Sequence, residues 1–328
     1  MSEANVPQRL PVLPREMLVP PRFEAPTWGL VVLCYGGWLA VGLWLWPVLP
    51  WLALIVMGVA VALQSSLAHE VLHGHPTRNA GLNEALVWLP IGIFYAYRSY
   101  KLTHLQHHND ERLTDPYDDP ESYYIALFTW ARMPGVLRLV LRVNNTLLGR
   151  VVIGPWVAVI GFTLAEARRM LAGDARTRNA WAHHLAGLAV VLPFIQFGMG
   201  IPVWLYMLGP GWIGLGLIAI RSYCEHQWAE DPNGRTIIVE RSLLAPLFLF
   251  NNLHFVHHKL PRVPWYRLPG AYNAARDEWQ RLNGGYVFPS YYSILRAYAW
   301  RMKEDTPHPA WRREETGSAE PARDDRDA

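Results

Sequence analysis

Residues 25–69 read APTWGLVVLCYGGWLAVGLWLWPVLPWLALIVMGVAVALQSSLAH, 45 residues without an Asp, Glu, Lys or Arg. A helix needs about 20 apolar residues to cross roughly 30 Å of hydrocarbon. The stretch therefore accommodates two spans, Trp28–Trp46 and Trp51–Ala68, around the turn Pro47-Val-Leu-Pro50. Asn179–Ile220, 42 residues equally free of charge, repeats the pattern with spans at Trp181–Phe197 and Val203–Ile220. Trp28, Trp44, Trp46, Trp51, Trp181 and Trp204 fall near the span ends, where indole favours the membrane interface. All 30 basic and 27 acidic residues lie outside the two stretches. The near-neutral mean hydropathy of +0.04 thus averages two unlike parts. A pair of buried helical hairpins in a soluble protein is the weaker alternative, because soluble cores rarely run so far without a charge.

Cytoplasmic loops carry the excess of Lys and Arg. Both turns lack these residues, which fall in the N-terminal arm, in 70–178 and after 220. Two hairpins place all three regions on one side, read as the cytoplasm. Ala85–Tyr97 and Val151–Ala165 are apolar but short, and are expected to be interfacial or re-entrant helices. The expected fold is an all-α integral membrane protein: four transmembrane helices as two hairpins, with a helical cytoplasmic cap. Residues 1–26 form a Pro-rich cytoplasmic arm, unlike a cleavable signal. Residues 27–302 form the membrane domain, and 303–328 a charged, disordered tail. Cys34 and Cys224 are too few for a disulfide framework or a Cys-based metal site. A net charge of +3 without a basic run gives no reason to expect nucleic acid. Twenty-seven Arg against three Lys suggest a GC-rich genome, hence a bacterial inner membrane.

Ten of the 13 histidines are clustered or adjoin the clusters. HEVLHGH holds His69, His73 and His75; HLQHH holds His104, His107 and His108; HFVHH holds His254, His257 and His258. His226 stands alone in RSYCEHQ. Helical residues at i, i+3 and i+4 share a face, so each HxxHH presents three imidazoles from about one turn. Neutral imidazole suits Fe, Zn, Cu and Ni. Nine histidines exceed the capacity of one tetrahedral ion; two ions with four or five each fit the count. His75, between Gly74 and Pro76, is a weaker candidate. His183 and His184 are expected at the interface, and His308 in solvent.

This ordered set, HxxxH, HxxHH, a lone His and HxxHH with membrane hairpins between, resembles the membrane-bound fatty acid desaturase and hydroxylase family. The resemblance covers about residues 28–270 and includes HGHPTRNAGLNEAL and HHKLPRVPWYRLP. It implies a non-haem di-iron centre, two Fe ions with O2 as co-substrate. The matching ligand positions are His69, His73, His104, His107, His108, His254, His257 and His258, with His226 as the isolated extra histidine. The chain departs from the pattern at Ser222, where some animal acyl desaturases carry an Asn; Asn251 or Asn252 is a candidate substitute.

Removing hydrogen from an unactivated carbon requires a redox-active metal, which zinc is not. Carboxylates should orient the ligands, and Glu70, Glu225 and Asp115 are the candidates. The rest of the run Asp115–Glu121 reads as solvated charge. The resemblance implies a lipid or fatty-acyl substrate, with acyl desaturation favoured over lipid hydroxylation and carotenoid hydroxylation or ketone formation. Trp88, Tyr95, Tyr97 and Tyr100 read first as interface aromatics, with a place at the mouth of the substrate channel as the alternative. The chain has no CxxC, HPGG or GxGxxG motif. Electrons are therefore expected from a separate ferredoxin, rubredoxin or cytochrome b5-type carrier with its reductase, docking near Arg98, Lys101, Arg262 and Arg267. HEVLH also matches the HExxH zinc-protease pattern, but that leaves seven clustered histidines unused. A metal transporter would carry its histidines inside the spans.

Overall fold

A computed structural model describes residues 10–109 and 113–312 and is mostly helical. The outer parts of the expected arm and tail, 1–9 and 313–328, lie outside the described residues. Four helical runs are long and apolar enough to cross a membrane: Ala25–Leu45, Pro50–Leu72, Ala175–Gly198 and Val203–Ser222. The first is α1 (Ala25–Ala40) continued by a π-helical turn, Val41–Leu45; the second is α2 (Pro50–Leu72). Both begin with proline in the first turn, where its missing N–H would have had no partner in any case.

α2 runs past Ala68 to Leu72 and so carries the first histidine box on its last turn. α3 (Tyr97–Asn109) carries the second. α4 spans Gly154–Leu171 and α5 Ala175–Pro193. α5 starts six residues before Trp181 because Asp174 caps it, accepting from Arg176 N at 2.9 Å and Thr177 Oγ1 at 2.7 Å. α6 (Trp212–Ser222) ends the fourth run, and α7 (His254–Lys259) bears the last box. A two-stranded parallel pair, β1 (Ile238–Arg241) and β2 (Val287–Ser290), pairs Ile238 with Val287.

α2 is the central helix, packed against both α1 and α6. Small residues set the approach to α6. A Cβ at Gly214 would lie 2.4 Å from Val61 Cγ1 and 3.0 Å from Gly58 O, and one at Gly58 2.5 Å from Ile213 Cγ2. Gly214→Val should therefore destabilise by about 1–3 kcal/mol, the usual overpacking range. Gly29→Ala, where nothing lies within 4 Å, should not. Thermal unfolding in detergent measures both.

Four expectations need correction. Ala85–Tyr97 is not a helix: Ala80–Leu86 is helical, and Val87–Ala96 is irregular around Pro90 and Gly92. Buried irregular backbone requires donors from elsewhere. Tyr206 Oη donates to Ile91 O at 2.8 Å, Tyr35 Oη to Leu89 O at 3.2 Å, and His184 Nε2 to Ile93 O at 3.0 Å. His184 is accordingly buried and structural rather than interfacial. The tail does not begin at Lys303. Lys303 donates to the His226 carbonyl, and Glu304 accepts from Tyr123 and Tyr124. Thr306 O and His308 N bracket Ile125 at 3.0 and 3.1 Å. His308 is thus buried at 4% exposure, not solvated. Charge alone suggested a solvated tail, but those charges have partners within the fold.

Candidate metal centre

The boxes converge from four places: the end of α2, the last two turns of α3, the segment after α6 and the whole of α7. His226 is held by a bridge to Thr236, and its carbonyl by Lys303 and the Tyr123 hydroxyl. Nine imidazoles form two sets, His69, His73, His104, His108 and His257 in one, and His107, His226, His254 and His258 in the other. Within each set the candidate ligand atoms lie within 4.8 Å of one another.

Each HxxHH divides between the sets, contrary to the expectation that its three rings converge together. Successive helical residues rotate by about 100°, so i and i+4 differ by about 40° and i+3 and i+4 by about 100°. His104 with His108, and His254 with His258, stay together; His107 and His257 cross over. The two sets meet where His108 and His258 stack at 4.1 Å between centroids.

The donor set fits cations. A carboxylate only accepts, so His107 Nδ1 donates to Asp119 Oδ1 at 2.8 Å and His104 Nδ1 to Glu121 Oε1 at 2.9 Å. His254 Nδ1 donates to Asn251 Oδ1 at 2.9 Å. Each of these three rings is left with a lone pair on Nε2. His226 Nε2 faces those of His107 and His254 at 3.0 and 3.1 Å, and one proton there serves only one of them. In the first set His69 Nε2 and His73 Nε2 are buried without a hydrogen-bond partner among the described residues. Converging, unpaired lone pairs repel one another and attract a metal ion.

Electrostatics favour the ligating form. Burial, reinforced by neighbouring imidazoles, pushes His108 down to about 3 and holds His73, His226, His254, His257 and His258 well below the ordinary histidine value. They are neutral near pH 7, as metal binding requires. Burial would lower His107 too, but the Asp119 hydrogen bond and the Glu121, Asp119 and Glu225 charges raise it overall.

Of the three carboxylates singled out in the sequence, Asp115 and Glu70 bond elsewhere, and Glu225 adjoins His254 through Asn251. Asp115 accepts from Tyr117 N and Asp118 N at 2.8 and 3.1 Å, closing its own turn. Glu70 accepts from Trp265 N at 3.1 Å and lies 3.8 Å from His75. His75 belongs to neither histidine set; its Nδ1 pairs with Glu24 at 2.8 Å, which ties the arm to the end of α2. Glu225 lies 3.8 Å from His254 Nδ1, whose closer partner is Asn251. Asn251 in turn donates to Glu225 at 3.2 Å, so it orients a histidine, and Asn252 donates to Val239 O. Among the described residues, the carboxylates hydrogen-bonded to histidines of the two sets are Asp119 and Glu121, in the acidic run read as solvated. The missed signal was that this run follows HLQHH closely enough to fold back on it.

Beside the sets lies a cavity of about 280 Å³, bordered by Trp88, Tyr95, Tyr97 and Tyr100. Ala68 and Tyr100 place one end next to the boxes, since Ala68 precedes His69 and the Tyr100 ring lies 5.5 Å from that of His104. Arg98 also lines it, bound to Glu84 and Asn179. Arg267 donates to Val19 O. Two of the four basic residues expected to meet an electron carrier are therefore engaged within the chain.

The family model described as fatty acid desaturase matches residues 45–290. No curated protein matches the chain.

Proposed function

Because the chain belongs to the fatty acid desaturase family, we propose that it is an O2-dependent lipid oxidase whose histidine sets hold two iron ions. It is a membrane enzyme of the desaturase and hydroxylase type. The observation that carries the proposal is the division of nine buried or half-buried imidazoles into two adjoining sets with converging lone pairs.

His69, His73, His104, His108 and His257 would hold one ion, and His107, His226, His254 and His258 the other. An iron pair would supply O2 activation and the redox capacity to remove hydrogen from an unactivated C–H bond. The chain's own residues do the rest. Asp119 and Glu121 fix the tautomers of His107 and His104, aiming Nε2 inward. Asn251 does the same for His254. The cavity walls hold substrate against the boxes and exclude bulk water, and the Tyr100 ring borders both substrate space and a ligand.

Desaturation of a fatty-acyl chain is the favoured reaction, with lipid hydroxylation or carotenoid oxidation on the same centre as the alternatives. The boxes face the cytoplasm of a bacterial inner membrane, and a separate ferredoxin, rubredoxin or cytochrome b5-type protein supplies electrons there. Residues 27–302, together with Glu24 and the Lys303–His308 segment folded onto them, form the catalytic domain. Lipid mass spectrometry of host cells with and without expression tests the reaction. A new lipid lighter by two hydrogens is expected. One heavier by an oxygen instead establishes hydroxylation, and an unchanged lipid profile with the electron donor supplied contradicts the proposal.

A further inference from the structure

Arg221 is charged, on the last turn of an apolar helical run, and 8% exposed. Its Nε lies 2.8 Å from Glu225 Oε1. Nη1 is buried with no hydrogen-bond partner among the described residues. Leaving a charged donor unsatisfied is costly, more so than for a neutral one. A Met at this position would fill similar space without that cost. Arg221 also lines the cavity, together with Tyr100 and Ser222. The oxygen that pairs with it, Glu225 Oε1, is 3.8 Å from His254 Nδ1. The unsatisfied donor thus stands beside the substrate space and one carboxylate away from a proposed metal ligand.

We infer that Arg221 binds an acceptor oxygen of the substrate, so that the cavity selects an oxygen-bearing lipid and holds that oxygen at the histidine end. Oxidation then falls close to the oxygenated carbon rather than at a distant point of a plain alkyl chain. This rests on the lipid-oxidase reading and narrows its substrate class. Glu225 acts through Arg221 by holding the Nε side of the guanidinium, leaving Nη1 for the ligand. A buried water on Nη1 is the competing explanation, and it predicts no dependence of ligand affinity on Arg221.

The test is equilibrium binding to the purified full chain in detergent, read by quenching of tryptophan fluorescence, to which Trp88 at the cavity wall contributes. The probes are 1-dodecanol, dodecanoate and dodecane. Each probe is compared between wild type and variant, so partition into the micelle cancels. In Arg221→Met the affinity for the alcohol and the acid should fall about tenfold or more, as for loss of a hydrogen bond to a charged group. Affinity for dodecane should stay within about twofold. Equal losses for all three mean that Arg221 only shapes the cavity, and no loss for the oxygenated probes means that water satisfies it; either overturns the inference. Should Arg221→Met fail to fold, Arg221→Gln keeps a donor and removes the charge. It should weaken dodecanoate more than 1-dodecanol, and equal affinities to wild type for both would overturn the inference. Because binding is read without turnover, this result is independent of whether the chain proves to be an iron oxidase.

Discussion

His107→Ala should abolish activity and deplete bound iron, with a loss beyond the roughly 10–100-fold typical for residues that only support a metal ligand. The expectation follows from its position. His107 supplies its Nε2 to the four-histidine set, where His226 Nε2 is 3.0 Å away, and its Nδ1 is anchored by Asp119. Removing it leaves three imidazoles in that set and a carboxylate without its partner. Metal analysis and turnover on the same preparation check the result. The circular dichroism of the variant should remain helical, because His107 lies on a helix whose other face is untouched. Full activity with undiminished iron would remove His107 from the centre.

Asp119→Ala should cost about 10–100-fold in activity or metal affinity, although Asp119 touches no metal in this account. Its Oδ1 accepts from His107 Nδ1 at 2.8 Å and Glu121 N at 2.9 Å, and its Oδ2 from Thr114 N at 2.8 Å. One buried carboxylate therefore sets the His107 tautomer and also holds the loop that brings Glu121 to His104. Asp115→Ala is the informative comparison. It lies in the same acidic run but, among the described residues, hydrogen-bonds only within its own turn, so activity should stay near wild type. Steady-state turnover of both variants beside their iron content measures the difference. Equal effects at the two positions would show that the run contributes only overall charge.

These two aspartates show where the sequence was informative and where it was not. The spans were readable because absence of charge over 45 and 42 residues is a property of composition, independent of tertiary contacts. The nine histidines were readable because i, i+3 and i+4 spacing is local geometry. How they divide between two sets was not foreseen, although the same helical rotation explains it once both boxes face each other. Asp119 and Glu121 reach their histidines across 12 and 17 residues of chain. Only the turn built on Thr114 and Asp119 determines which acid arrives. Glu70 looked better placed because it adjoins His69, yet adjacent helical residues point apart, and Glu70 serves Trp265 instead. His308 and Lys303 illustrate the same limit, since their partners, Ile125 and His226, lie far away in sequence.

The irregular segment Val87–Ala96 had a partial signature in Pro90 and Gly92. Its buried carbonyls depend on Tyr35, His184 and Tyr206, one donor from each of three different spans, which no local pattern encodes. The same segment supplies one wall of the cavity, so departure from helix makes the substrate space.

The central claim is that the two histidine sets hold two iron ions. Elemental analysis of catalytically active, detergent-purified protein tests it most directly. Close to two iron atoms per chain are expected. Active protein with stoichiometric zinc and no iron would contradict it.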